Sequence, residues 1–186
     1  MHASPIVGIA AAALAVCGLC GCVSPPGAPA ADPDTAFLQD AVREDLLSIR
    51  LGELAQRYAQ IPDVASYGRQ MAADHASALE TLRLIAQARQ SEIPRSPDAE
   101  QMESYYQLSH IGGDDFHRQF MDGALWHQRS ELATLEREAV SGRDSRLVAF
   151  ARERQPVVAG AERLAVDVEV RNHLNVPIVS GPGDMR

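Results

Sequence analysis

Residues 62–90 read PDVASYGRQMAADHASALETLRLIAQARQ. Within them Val64, Tyr67, Met71, His75, Ala78, Leu82 and Ile85 follow one another at intervals of 3, 4, 4, 3, 4 and 3 residues. An α-helix turns once in about 3.6 residues, so these side chains fall on one stripe. A stripe of that length is a bundle seam, because only other helices can cover it. Pro62 suits the first helical position, where its missing N–H would have had no partner anyway.

The same spacing extends in both directions. Upstream, Phe37, Ala41, Leu47, Leu51, Leu54 and Tyr58 predict a helix over residues 34–60, with Asp34 as its N-cap. Downstream, the run SEIPRSP at residues 91–97 predicts a loop, and a short helix follows at 98–109. Gly112 and Gly113 break it. A third long helix is expected over 114–140, with Gly142 as the C′ residue. A fourth is expected over 144–172, along Leu147, Phe150 or Ala151, Val158, Ala161, Leu164, Ala165 and Val168, with a kink at Pro156. Trp126 falls opposite the apolar stripe of its helix. No stretch alternates with period two, so no sheet is expected. The fold class is therefore all-α: an antiparallel four-helix bundle over residues 34–173, with a short extra helix between the second and third long helices. Residues 174–186 read as a loose tail.

Composition agrees. The chain has 186 residues, about one domain, and 46% are hydrophobic, enough for a real core rather than a disordered chain. Acidic residues number 25 against 17 basic ones, a net charge of −8, and every basic residue is Arg. That balance repels phosphate, so a nucleic-acid partner is not expected.

The 3 Cys are Cys17, Cys20 and Cys22, so the body of the chain cannot be a disulfide scaffold. Residues 6–21 are apolar or small and uncharged, shorter than the ~20 that a spanning helix needs. Residues 1–21 therefore read as a signal peptide, although positions 1–5 carry no Lys or Arg. The segment ends Leu19-Cys20-Gly21-Cys22, which resembles the lipobox of bacterial lipoproteins. Cys22, preceded by the small Gly21, is the expected site of lipidation, and the Pro/Ala/Gly-rich residues 22–33 are the expected tether. Cys17 and Cys20 also form a C-x-x-C. A redox or metal role would need a folded, electropositive setting that this leader lacks. The expected location is the bacterial cell envelope, on the periplasmic side and anchored to the outer membrane. The expected partners are that membrane, through the lipid, and an unidentified protein.

Polar residues on the apolar stripes are the candidates for chemistry. His75 lies on the seam of the second helix. His117 shares a face with Ala124 and Leu135 in the third, with Glu131 about 40° and His127 about 80° from its centre. Imidazole and carboxylate suit Zn, Fe or Mn, so His75, His117, His127 and Glu131 form a candidate metal set. Bundle di-iron sites draw on Glu-x-x-His, and the chain contains none. The alternative is structural: His75 as a hydrogen-bonded core histidine, His127 with Glu131 as a partly exposed i, i+4 pair, His173 against a helix C-terminus and His110 in a loop. No nucleophile elbow, phosphate-binding loop or thiol of the body stands out. The expectation is a non-enzymatic protein without a cofactor, with metal binding or storage as the alternative.

Several blocks carry a family likeness: Leu51-Gly52-Glu53-Leu54-Ala55, then Val64, Tyr67 and Met71-Ala72-Ala73-Asp74-His75, then Gly113-Asp114-Asp115-Phe116-His117-Arg118-Gln119-Phe120, and Pro156. In these the chain resembles the bacterial ferritin-like "domain of unknown function 4142" family, whose members are often described as outer-membrane proteins. The resemblance implies a secreted four-helix, ferritin-like bundle. The family's inward polar positions fall here on Ser48, His75, His117, Gln128 (with His127 beside it) and a position near Ala161. Only His75 keeps the family's residue. A metal site would therefore have to be rebuilt from His75, His117, His127 and Glu131.

Overall fold

The computed structural model describes residues 32–174. The expected leader, Cys22, nearly all of the tether and the tail from residue 175 onward lie outside the described residues. Five helices make up the described chain: α1 Pro33–Tyr58, α2 Pro62–Arg89, α3 Ala99–Ser109, α4 Gly113–Ser141 and α5 Ser145–Arg171. There is no strand among the described residues, and no helix there is long and apolar enough to cross a membrane.

The ends of the helices are set by local chemistry. Asp32, not Asp34, caps α1, its side chain accepting from the Thr35 amide at 3.2 Å. The shift of two positions follows from Pro33, which is preorganised for the first helical position. Asp98 caps α3 in a reciprocal capping box with Gln101. Asp144 caps α5 through the amides of Arg146 and Leu147. Gly142 is the C-cap of α4 in an extended conformation (φ −61°, ψ 148°), not a left-handed C′ residue. Helix α5 runs through Pro156 without interruption.

Helix α1 packs on α2, α2 on α5, α5 on α4 and α4 on α1, so the long helices close a four-membered ring. One end of the bundle gathers the start of α1, the end of α2, the end of α4 and the start of α5, tied by Arg89 to Asp144 and by Asp34 to the Arg143 and Asp144 amides. Each neighbouring pair is thus antiparallel. Because α2 ends where α4 also ends, the chain must cross the length of the bundle between them. Helix α3 lies on this crossover and packs against α1 and α4.

Helices α1 and α2 approach each other closely at facing glycines. A Cβ added at Gly52 would collide with the Gly68 carbonyl and lie 2.9 Å from the Ala72 Cβ; one at Gly68 would lie 2.6 Å from the Ala55 Cβ. Two glycines facing each other let the backbones touch.

The core has two apolar clusters. One, near the α1–α2 turn, includes Leu51, Leu54, Val64, Tyr67, Phe116, Phe120 and Val168. The other, toward the start of α1, includes Leu38, Val42, Leu82, Leu135, Leu147 and Phe150. Each fully buried aliphatic or aromatic side chain contributes about 1.5–3 kcal/mol. Every residue of the α2 stripe read from the sequence is buried, whereas Tyr58 of the α1 stripe is 51% exposed. Trp126 is 66% exposed, on the outer face as its register required. Leu174, expected to open the tail, is buried in the first cluster.

Candidate functional site

Between the two apolar clusters lies a polar belt to which each long helix gives one residue: Asp45 from α1, His75 from α2, Glu131 from α4 and Arg154 from α5. In α1 the belt falls between Val42 and Leu47, and in α2 between Met71 and Ala78, members of opposite clusters. Asp45, His75 and Arg154 are buried, and Glu131 keeps one edge toward solvent. That edge opens on a cleft of about 290 Å³ lined also by Asp40, Glu44, Asp98 and Gln101.

The belt is closed by direct contacts. His75 Nδ1 meets Asp45 Oδ1 at 2.7 Å. The Arg154 Nε–H donates to Glu131 Oε1 at 2.9 Å, and Arg154 Nη2 stands 3.3 Å from His75 Nδ1. His75 Nε2 faces Glu131 Oε2 at 4.0 Å. Burial pushes the Asp45 carboxyl above its ordinary value, and the His75 hydrogen bond and the Arg154 charge oppose that push. A guanidinium suits this position because its planar fork serves several acceptors at once and stays charged when buried.

Donor atoms of Asp45, His75 and Glu131 lie within 4.8 Å of one another, close enough to be considered as metal ligands. Their orientation argues against shared coordination. Asp45 holds the Nδ1 edge of the imidazole while Glu131 faces the opposite Nε2 edge. An ion at Nε2 would take His75 and Glu131 as ligands and leave Asp45 as the group that orients the ring. It would also sit beside Arg154, whose guanidinium is already bonded to Glu131.

Of the residues chosen from the sequence, His75 and Glu131 come together here. His127 and His117 go elsewhere. His127 Nδ1 lies 2.7 Å from Glu44 Oε1, and its ring packs edge-on to Trp126 at 5.0 Å. Burial raises the Glu44 carboxyl, but the His127 bond and charge outweigh it and hold the group below its ordinary value. His117 is buried near the α1–α2 turn, where its Nε2 accepts the Gln60 amide at 3.0 Å. That nitrogen is committed to the backbone just beyond α1, so it cannot ligate an ion without giving up the Gln60 amide, and the other ring nitrogen stands 3.7 Å from Asp114 Oδ1. Ser48 and Gln128, where the resemblance put two of the family's polar positions, are both buried. Gln128 Nε2 donates to the Tyr67 hydroxyl at 3.5 Å, and burial pushes that phenol up to about 12, so it stays protonated.

Asp45 and Arg154 were missed by the sequence reading, yet a signal existed for each. Arg154 continues a seam that runs Leu147, Ala151, Arg154, Val158, Ala161, Ala165, Val168 at intervals of 4, 3, 4, 3, 4 and 3. Asp45 follows Leu38 and Val42 at intervals of 4 and 3.

These observations define a helical bundle of crossover topology whose middle is a closed ion-pair network. The chain belongs to the family described as Domain of unknown function (DUF4142), which matches residues 23–168. Its fold is shared by the crystal structure of a DUF305 fragment from Deinococcus radiodurans, at 15% sequence identity and a TM-score of 0.66, over 79% of this chain and 99% of that one. No curated protein matches the chain.

Proposed function

We propose that this protein is a non-enzymatic helical bundle of the bacterial envelope, held at a membrane by lipid on Cys22 and acting through contacts with protein or envelope components. The observation that carries the non-enzymatic reading is Arg154. Its guanidinium is bonded to Glu131 and lies beside His75 and Asp45 within the bundle, which supports reading the belt as a lock between helices. Buried ion pairs are often no more stabilising than apolar residues of the same volume, so the belt's role in this reading is to fix the register of the helices. The anchor reading rests on the Leu19-Cys20-Gly21-Cys22 run ahead of a Pro-rich segment, and the periplasmic face of the outer membrane is the corresponding location. Mass spectrometry of the mature N-terminus, from protein recovered in bacterial membranes, tests it. A diacylglyceryl-modified Cys22 supports the proposal; an unmodified start downstream of Cys22 overturns the anchor.

A second reading is metal binding or storage with Zn, Fe or Mn. It is favoured by one observation, the three donors of Asp45, His75 and Glu131 within 4.8 Å. It requires Arg154 to swing away from Glu131 when the ion enters.

A further inference from the structure

We propose that Glu138 is a proton-operated latch at the end of the bundle where α1 begins, protonated when the α4–α5 turn is closed and driving that turn open when it ionises. The end is built on carboxylates. Asp34, buried in the first turn of α1, accepts the Arg143 amide at 3.0 Å and the Asp144 amide at 2.6 Å. Those bonds pin the turn between α4 and α5 to the start of α1. Arg89, from the end of α2, reaches Asp144 at 2.6 Å and Asp32 at 3.2 Å, and stands 4.0 Å from Asp34.

Glu138 sits in the last turn of α4 among these groups and is 7% exposed. Its Oε1 is buried with no hydrogen-bond partner. The carboxyl is folded onto Gly142 so tightly that a Cβ there would lie 2.5 Å from Oε1. The charges that bear on it are Asp32 and Asp34 from α1, Arg89 from α2 and Asp144 at the start of α5. Asp40 lines the adjoining cleft, as does Arg137 of its own helix, which donates to Thr134. Three carboxylates thus face one guanidinium before Glu138 is counted. An ionised Glu138 would add a fourth negative charge, with its Oε1 buried and without a donor, which is unfavourable.

The neutral acid fits the pocket. Burial first, then the Asp34 charge, push the group up to about 7, against the pull of Arg89. The folded value is raised above the ordinary 4.5, so the folded turn binds this proton more tightly than the open one. Closure is therefore favoured at low pH. It weakens as pH rises above 4.5, and the loss is complete once pH has passed about 7. Glu138 itself borders a solvent-open cleft of about 350 Å³, lined also by Asp34, Phe37, Asp40 and Gly142, so water reaches the ionised carboxyl once the turn gives way. Opening the turn moves Gly142 off the carboxyl and frees Oε1 to be hydrated. The first turn of α1 lies at this end, so the latch would set how firmly that turn is held.

The test is NMR on the full-length protein. Carbon-detected titration of the Glu138 carboxyl should give a midpoint near 7. Protection factors of the Gly142, Arg143 and Asp144 amides, corrected for intrinsic exchange, should fall at least ~10-fold from about pH 5.5 to 8.5, the equivalent of one pKa unit or more. Glu138→Gln should keep the same amides protected across that range. A Glu138 midpoint in the ordinary carboxylate range overturns the proposal. So does an equal loss of protection in Glu138→Gln, which would assign the opening to another group.

Discussion

Arg154 Nε and Glu131 Oε1 are 2.9 Å apart, and their bond joins α5 to α4 in the interior of the bundle. The pair is 8% and 14% exposed at the side chains, so water screens it little. Its partners, His75 and Asp45, extend the link to α2 and α1. One connected set of charges therefore touches all four long helices.

Removing one member should be costly. Arg154→Met leaves Glu131 without its donor and the belt with excess negative charge, and is expected to destabilise by about 3–5 kcal/mol. Arg154→Met with Glu131→Leu should cost less than the sum of the two single changes, because neither charge is then left buried alone. Urea unfolding of the two single variants and the double variant measures this coupling.

The seams of the long helices were legible because apolar residues repeat at three and four. All of the α2 stripe proved buried. The belt was only half legible, for a physical reason. A search for apolar periodicity passes over the charged residue that completes it, and Arg154 occupies just such a place between Ala151 and Val158. His75 stood out because imidazole on a seam looks like a ligand. Asp45 did not, since a carboxylate after Glu44 reads as a solvated face. His117 was placed correctly on an inner face, but its partner is a backbone amide, and main-chain donors leave no mark in a sequence. By its place ahead of the apolar run, Asp34 reads as the cap. In the fold Asp32 caps, and Asp34 is freed to hold the α4–α5 turn.

The two kinds of helical glycine should respond oppositely to alanine. At Gly52 a Cβ would meet the backbone of α2, so Gly52→Ala must push the helices apart. Such overpacking costs typically 1–3 kcal/mol, and the gain in helix propensity of about 1 kcal/mol does not offset a backbone collision. At Gly123 nothing lies within 4 Å of the added atom. Gly123→Ala should therefore stabilise α4, by up to about 1 kcal/mol. Thermal unfolding of both variants under one buffer gives the two signs.

His117 should behave as a structural acceptor. His117→Ala removes the acceptor of the part-buried Gln60 amide and opens a void beside Phe116, so a loss of about 2 kcal/mol, mostly from the void, is expected. If that is its role, adding Zn should not change the stability of the wild-type protein through His117. Denaturant midpoints of wild type and His117→Ala, with and without Zn, check this; a Zn-dependent gain that vanishes in His117→Ala would contradict it.

The most direct measurement is the metal content of the protein purified without chelators from its native host, by elemental analysis against protein concentration. With the belt closed by Arg154, Zn, Fe and Mn should each be far below one ion per chain, in wild type and in His75→Ala alike. One ion per wild-type chain, lost in His75→Ala and in Glu131→Ala, would contradict the account and make the belt a metal site.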